Sequence, residues 1–256
     1  MKDYTLTQSE INSFHENGFL VLENLYSEEF TYKFLNAVRR HANKDFAAII
    51  NPERYETLLA IDERPKSDIT LEEIKETSEL CQKVMSNPTT VKILRTLQEN
   101  DVVGLSSQFI FKEAYSAYAS QAWLPHQDNR YVDNENGQYI TANWFLRPVD
   151  KKNGGLYIYP GSHKLPLLPA PHKKSYREDP TDNPGRECEI PEEFIDKKVD
   201  LILPASSVVF LHGNCIHGSY PNISNRSRPW HSNCYITKGE YFNIGKSSQR
   251  TATEFV

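Results

Sequence analysis

From Val102 onward the sequence is a succession of short apolar or alternating runs separated by turn residues, and this limits the fold more than any other feature. Candidate strands are 103–113, 139–147, 155–159, 198–203, 207–212 and 228–237, with Asn153-Gly154-Gly155 and Pro160-Gly161-Ser162 as turn signals. No helical period intervenes. Parallel neighbours need long crossover connections, so the strands point to an antiparallel sandwich or jelly roll. Fourteen Tyr and twelve Phe suit strands better than a helical bundle. The stretch 163–191, rich in Pro, Lys, Asp and Glu, is long for a connection within a domain and reads as a lid or binding loop.

The first hundred residues are of the opposite kind, mostly helical. Thr7-x-x-Glu10 is a capping-box pattern opening a helix over about Gln8–Asn17, which Gly18 ends before a short strand to Leu22. Ser27 caps a second helix through Phe30, Phe34, Leu35 and Val38. Further helices are expected over Leu71–Met85 and Thr89–Gln98; residues 44–68 give no clear pattern. A length of 256 residues with 38% hydrophobic content suits one large domain spanning 1–256, helices packed outside a jelly-roll core at 101–240.

A net charge of −5 argues against a nucleic-acid partner. No apolar run suggests a leader or a membrane span. Cys81, Cys188, Cys215 and Cys234 form no C-x-x-C pair, as expected of reduced thiols in the cytoplasm. No feature sets an oligomeric state.

Within the strand-rich part, Leu124-Pro125-His126-Gln127-Asp128 places an imidazole and a carboxylate two residues apart, on one face if the chain is extended. Such a pair grips a divalent metal when a second histidine joins it. His217, after the strand 207–211 and the turn Gly213-Asn214, is the natural third ligand; His212, at the strand's end, competes with it. His15, His41, His163, His172 and His231 read as bystanders. Eleven residues past His217, Arg228 opens a strand on which Arg228, Trp230, Ser232 and Cys234 share one face. A guanidinium turned inward needs an anion, and a carboxylate matches its planar fork. Arg226, in the preceding loop, is the alternative. Ser106, Gln108, Ile110 and Lys112 likewise share a face that is unusually polar for a core.

Together, His126-x-Asp128, the segment Asn153-Gly154-Gly155-Leu156-Tyr157-Ile158-Tyr159-Pro160-Gly161-Ser162-His163-Lys164, and His217-Gly218-Ser219 with Arg228 resemble the phytanoyl-CoA dioxygenase family of Fe(II)- and 2-oxoglutarate-dependent oxygenases. The resemblance runs from about Leu6 to Tyr235. It implies a double-stranded β-helix and iron bound by His126, Asp128 and His217. It also implies a 2-oxoglutarate C5 carboxylate paired with Arg228 and Ser219, with Gln108 and Trp144 touching the cosubstrate. O2 is the second cosubstrate, and succinate and CO2 the coproducts. Related halogenases have Gly or Ala at the position of Asp128, so the carboxylate implies hydroxylation; desaturation and cyclisation use the same ligands. A Zn hydrolase would have no use for Arg228 and Ser219, and a non-catalytic jelly-roll binding protein no need of the whole set. The family's usual Lys-Pro is here Lys112-Glu113-Ala114, leading into a Tyr-rich loop with Tyr115 and Tyr118, so substrate identity does not carry over. A small polar, cationic or zwitterionic molecule fits the aromatic content better than a CoA thioester, for which no dense basic cluster exists. Arg130, Tyr131, Trp230 and Asn233 are the candidate substrate contacts.

Overall fold

The computed structural model describes residues 3–39, 48–50, 57–58, 71–115, 119–170, 187–245 and 250–255. The first helix, α1 (Gln8–Asn17), has its capping box in place: the Thr7 hydroxyl accepts from the Glu10 N–H while the Glu10 carboxylate accepts from the Thr7 N–H. Gly18 ends it in the left-handed region, at φ 80°. Strand β1 (Phe19–Leu22) follows, then α2 (Glu28–Arg39), α3 (Leu71–Met85) and α4 (Pro88–Gln98), the last capped by Asn87. Two short strands, β2 (Ala48–Ile50) and β3 (Thr57–Leu58), arise from the stretch without a sequence pattern.

The strand-rich part supplies β4 (Val102–Lys112), β5 (Trp123–His126), β6 (Tyr139–Phe145), β7 (Leu156–Ile158), β8 (Val199–Asp200), β9 (Val208–His212), β10 (His217–Ser219) and β11 (Arg228–Thr237). One sheet has the order β1-β9-β6-β11-β4-β2-β3 and the other β5-β10-β7-β8, with antiparallel pairing throughout. This is the expected jelly roll with helices outside it. The opening residues are less purely helical than their composition suggests, because β1 and β2 extend the large sheet at β9 and β4.

Period-2 alternation divides each central strand between two cores. Ile140, Ala142 and Trp144 of β6, Phe109 and Phe111 of β4, and Tyr235 of β11 pack beneath the helices with Phe14, Phe34, Leu35 and Leu94. Phe145, Ile110, Trp230 and Val209 face the small sheet, meeting Leu156, Ile158 and Cys215. All four cysteines are buried and free. Among the described residues, no helix is long and apolar enough to cross a membrane.

His231 falls on the helix side, wedged against Phe34 and Phe109 at 4.8 and 4.9 Å between ring centroids. Neither ring nitrogen has a hydrogen-bond partner among the described residues, and burial pushes its pKa down to about 3. The unfolded chain, with an ordinary histidine near pH 6.5, takes up a proton that the fold refuses. The His231 contribution to stability is therefore whole above about pH 6.5 and falls by roughly 1.4 kcal/mol per unit below it. His231→Phe should remove this slope, leaving the variant about 2 kcal/mol less acid-sensitive than the parent between pH 6.5 and 5. Denaturant melts at the two pH values check it.

Candidate active site

The register of the small sheet assembles the centre. His217 of β10 lies opposite His126 of β5, with ring centroids 4.4 Å apart. Directly after His217, Gly218 is obligatory: a Cβ there would lie 2.3 Å from the Tyr157 hydroxyl and 2.5 Å from the Trp123 carbonyl. Asp128 is not on the strand, as the H-x-D argument supposed. β5 stops at His126, and Asp128 begins a 3-10 turn, Asp128–Tyr131, that swings its carboxylate back across both imidazoles. The His126 Nε2 is 3.5 Å from one carboxylate oxygen and the His217 Nε2 is 3.7 Å from the other. One ligand atom from each of the three residues lies within 4.8 Å of the others.

Both histidines turn Nε2 toward the centre. His126 Nδ1 is 2.7 Å from the Leu124 carbonyl and His217 Nδ1 is 3.0 Å from that of Cys215. A carbonyl only accepts, so Nδ1 carries the proton and each Nε2 keeps its lone pair for the centre. Burial holds the His217 pKa down to about 4, so the ring is neutral near pH 7. Burial alone would raise the Asp128 pKa, but His217, His126 and Arg250 outweigh it and the carboxyl sits below its ordinary value. The Asp128 side chain keeps 23% exposure against 4–5% for the histidines, so the centre opens on the Asp128 side. Two nitrogens and a carboxylate with one open side suit iron(II).

The residues flanking Asp128 are locked. Gln127 donates to the Pro166 and Asn214 carbonyls and accepts from the Leu168 N–H. Asn129 donates to the Asn134 carbonyl and the Asn214 side chain. These bonds fix the turn that carries Asp128, and neither residue stands out in the sequence. The Pro-Gly-Ser-His turn also braces the centre: the Ser162 hydroxyl accepts from the N–H of Ile216, beside His217. His212 is elsewhere, its Nδ1 accepting from the Asn214 N–H at 3.1 Å and its ring against His163 and Phe14.

Ser219 stands two strand residues from His217 on the same face, roughly 6.5 Å along β10. Its hydroxyl is 2.9 Å from Lys112 Nζ, which also donates to the Gln121 and Tyr220 carbonyls. Lys112 and Arg228 are paired in register and both fully buried. Burial and then the Arg228 charge push the Lys112 pKa well below its ordinary value. The Arg228 guanidinium lies 4.5 Å over the Trp230 ring. Arg226, by contrast, is bound to Asp150 at the surface, at 2.7 Å. Gln108 faces inward, its amide 3.8 Å from Cys234 Sγ.

Two expected contacts are on the wrong face. Trp144 stacks on Tyr26 at 4.0 Å and meets the tilted Phe34 ring at 4.7 Å, under α2. Its neighbour Asn143, donating to Thr141, takes the inward position and pairs with Ser232. Asn233 also points to the helix side, where it accepts from Ser107. Of the other substrate candidates, Tyr131 is 6.2 Å from the His126 ring, and Trp230 lies beneath Arg228, away from the open side. Arg130 donates to the Leu168 carbonyl and so fastens the start of the 163–191 loop. The far end of that loop is tied by the Cys188 N–H to the Pro125 carbonyl. Residues 171–186, on which the lid expectation falls, lie outside the described residues, as does Tyr118. Trp144→Phe should lower stability by about 0.5–2 kcal/mol and leave 2-oxoglutarate affinity unchanged, as melting and calorimetry would show.

A jelly roll with two histidines and one carboxylate between its sheets is the arrangement associated with non-haem iron oxygenases, and this chain has that arrangement. Residues 14–230 match the phytanoyl-CoA dioxygenase (PhyH) family. The chain belongs to that family. It is 26% identical over 223 residues to the peroxisomal phytanoyl-CoA dioxygenase of Bos taurus, covering 82% of this chain but only 63% of the bovine one. Ectoine dioxygenase of Bordetella bronchiseptica is 24% identical over 242 residues, covering 88% of this chain and 72% of that protein. Among solved structures, the epimerase SnoN in complex with Fe3+, alpha ketoglutarate and nogalamycin RO superposes with a TM-score of 0.69 at 17% identity, over 93% of this chain and 86% of SnoN. EctD from S. alaskensis with 2-oxoglutarate and 5-hydroxyectoine gives 0.65 at 17%, over 93% and 78%. At that identity the likeness is one of fold.

Proposed function

We propose that the chain is an Fe(II)- and 2-oxoglutarate-dependent dioxygenase that hydroxylates a small polar metabolite and releases succinate and CO2. The observation that carries this reading is the buried pair Lys112 and Arg228, directly opposite each other on β4 and β11, with the Arg228 charge lowering the Lys112 pKa. A buried guanidinium opposite an amine pushed toward neutrality presents a charge and donors that suit a carboxylate, and one dicarboxylate reaching from the metal ligands to Ser219 would fit there.

In this reading His126, Asp128 and His217 hold the iron, and Arg228, Lys112 and Ser219 hold the C5 carboxylate. Bound iron, with 2-oxoglutarate and O2, supplies the oxidising power that breaks a substrate C–H bond. The chain does the rest. Leu124 and Cys215 carbonyls fix the imidazole tautomers, and Gln127 and Asn129 fix the carboxylate. Trp230, Ile110 and Phe145 keep water from the cosubstrate end, while the open side at Asp128 and Tyr131 admits substrate. A carboxylate at position 128 occupies the place a halide would need, which favours hydroxylation. Four buried, free cysteines are in keeping with the cytoplasm.

The test is succinate formation by Fe(II)-loaded protein across small amino acids, betaines and acyl thioesters, with products weighed by mass spectrometry. A stimulated reaction whose product gains one oxygen supports the reading. A product lacking two hydrogens instead replaces hydroxylation by desaturation or ring closure, and failure to bind 2-oxoglutarate overturns the assignment.

A further inference from the structure

We infer that Arg250 forms an oxyanion-binding subsite on the substrate side of the metal centre, seating a carboxylate or phosphate group of the substrate. The inference rests on the dioxygenase reading above and narrows its substrate class.

Past β11 the described residues return to Val132 and to Gly104 of β4. The Asn243 N–H donates to the Val132 carbonyl, the Arg250 N–H donates to that of Ile244, and Gly104 and Thr253 exchange backbone bonds. This tail carries Arg250 to a position where it is 8% exposed and acts electrostatically on Asp128, Tyr139 and Cys234. Tyr139 and Cys234 belong to the interior end beside Val132, and Cys234 is six strand residues, roughly 20 Å, from Arg228. The two arginines thus occupy opposite ends of the interior, with the metal ligands between them. Arg228 serves the cosubstrate; Arg250 faces whatever enters by the open side.

The guanidinium is held but not neutralised. Its Nη1 donates to the Tyr131 carbonyl at 3.2 Å and the Asn243 carbonyl at 2.9 Å, both uncharged acceptors. Neither bond uses the Nε–Nη2 edge, the side-on fork that grips an oxyanion with two parallel hydrogen bonds. The Nε is buried and has no partner among the described residues. A carboxylate within its influence, Asp128, is committed to the metal. Once the centre is loaded, iron(II) and the 2-oxoglutarate dianion cancel, as do Asp128 and Arg228, while burial and Arg228 drive Lys112 toward neutrality. Arg250 is then the surplus cation, in a place where an unmatched charge is costly. A substrate oxyanion balances it and leaves the substrate's other end toward the iron.

The experiment uses anaerobic protein loaded with Fe(II) and 2-oxoglutarate, with potassium acetate and inorganic phosphate as probes and potassium chloride at equal ionic strength as the reference. Loading is measured first by calorimetry. The expected result is a rise in melting temperature with acetate or phosphate in the parent, lost in Arg250→Gln and weakened in Arg250→Lys, which keeps the charge but not the fork. Response to acetate assigns a carboxylate, and response to phosphate alone a phosphate ester. An equal rise in Arg250→Gln, or none in the parent, overturns the inference. So does an Arg250→Gln protein that folds yet no longer loads, since Arg250 would then be a prop for Asp128. If the parent itself does not load 2-oxoglutarate, it is the dioxygenase reading that fails.

Discussion

His217→Ala is expected to weaken iron binding by more than about 100-fold and to abolish substrate-driven succinate formation, because loss of a hydrogen-bonding neighbour of a metal ligand alone costs 10–100-fold and here the ligand itself goes. The variant should still fold. His217 lines a polar centre rather than an apolar core, and Ala retains the β10 backbone bonds to β5 and β7 on which the small sheet depends. His212→Ala is the matched control. Its imidazole, five residues away in sequence, accepts a backbone N–H and packs on His163, so iron affinity should be unchanged. Anaerobic Fe(II) titration of both variants by calorimetry separates the two histidines. Equal loss in both, or retention in His217→Ala, would remove His217 from the ligand set.

The contrast between these histidines shows what the sequence could convey. Both follow an apolar strand, and residue type cannot rank them; only the pairing of β10 with β5 brings His217 rather than His212 opposite His126. Elements with a strong period were legible: the capping box of α1, the heptad-like faces of α2 and α4, and the long alternating runs of β4 and β11. β2 and β3 were not, since they owe their existence to an open edge of β4 rather than to a pattern of their own. The family resemblance implied Trp144 as a cosubstrate contact, but on a strand a single position reverses the face, and the inward residue is Asn143. Lys112 was visible as one of four polar-face residues of β4, though its pairing with Arg228 needed the register. Arg250 left no local signal, since it reaches the centre from the chain's last residues by tertiary folding alone.

Arg228→Leu should raise the dissociation constant of 2-oxoglutarate by roughly 100- to 1,000-fold, the scale of about 3–4 kcal/mol for removing one partner of a buried charged pair. Iron affinity should be unaffected, since none of the metal-centre contacts described above involves Arg228. The loss is bounded by Lys112. In the parent, burial and then the Arg228 charge depress the lysine pKa. Taking away Arg228 removes the second cause, so the Lys112 pKa rises and the amine, still 2.9 Å from the Ser219 hydroxyl, recovers positive charge for the carboxylate. Residual binding in Arg228→Leu should accordingly strengthen as pH falls and Lys112 takes up its proton, and should vanish in the Lys112→Met, Arg228→Leu double variant. The two substitutions are then non-additive, with the double-mutant loss exceeding the sum of the singles. Calorimetric titration of 2-oxoglutarate into the four proteins at two pH values resolves this. Strict additivity would mean that Lys112 is only a strut between the Gln121 and Tyr220 carbonyls, and a full loss in Arg226→Ala would move the carboxylate site to the surface ion pair at Asp150.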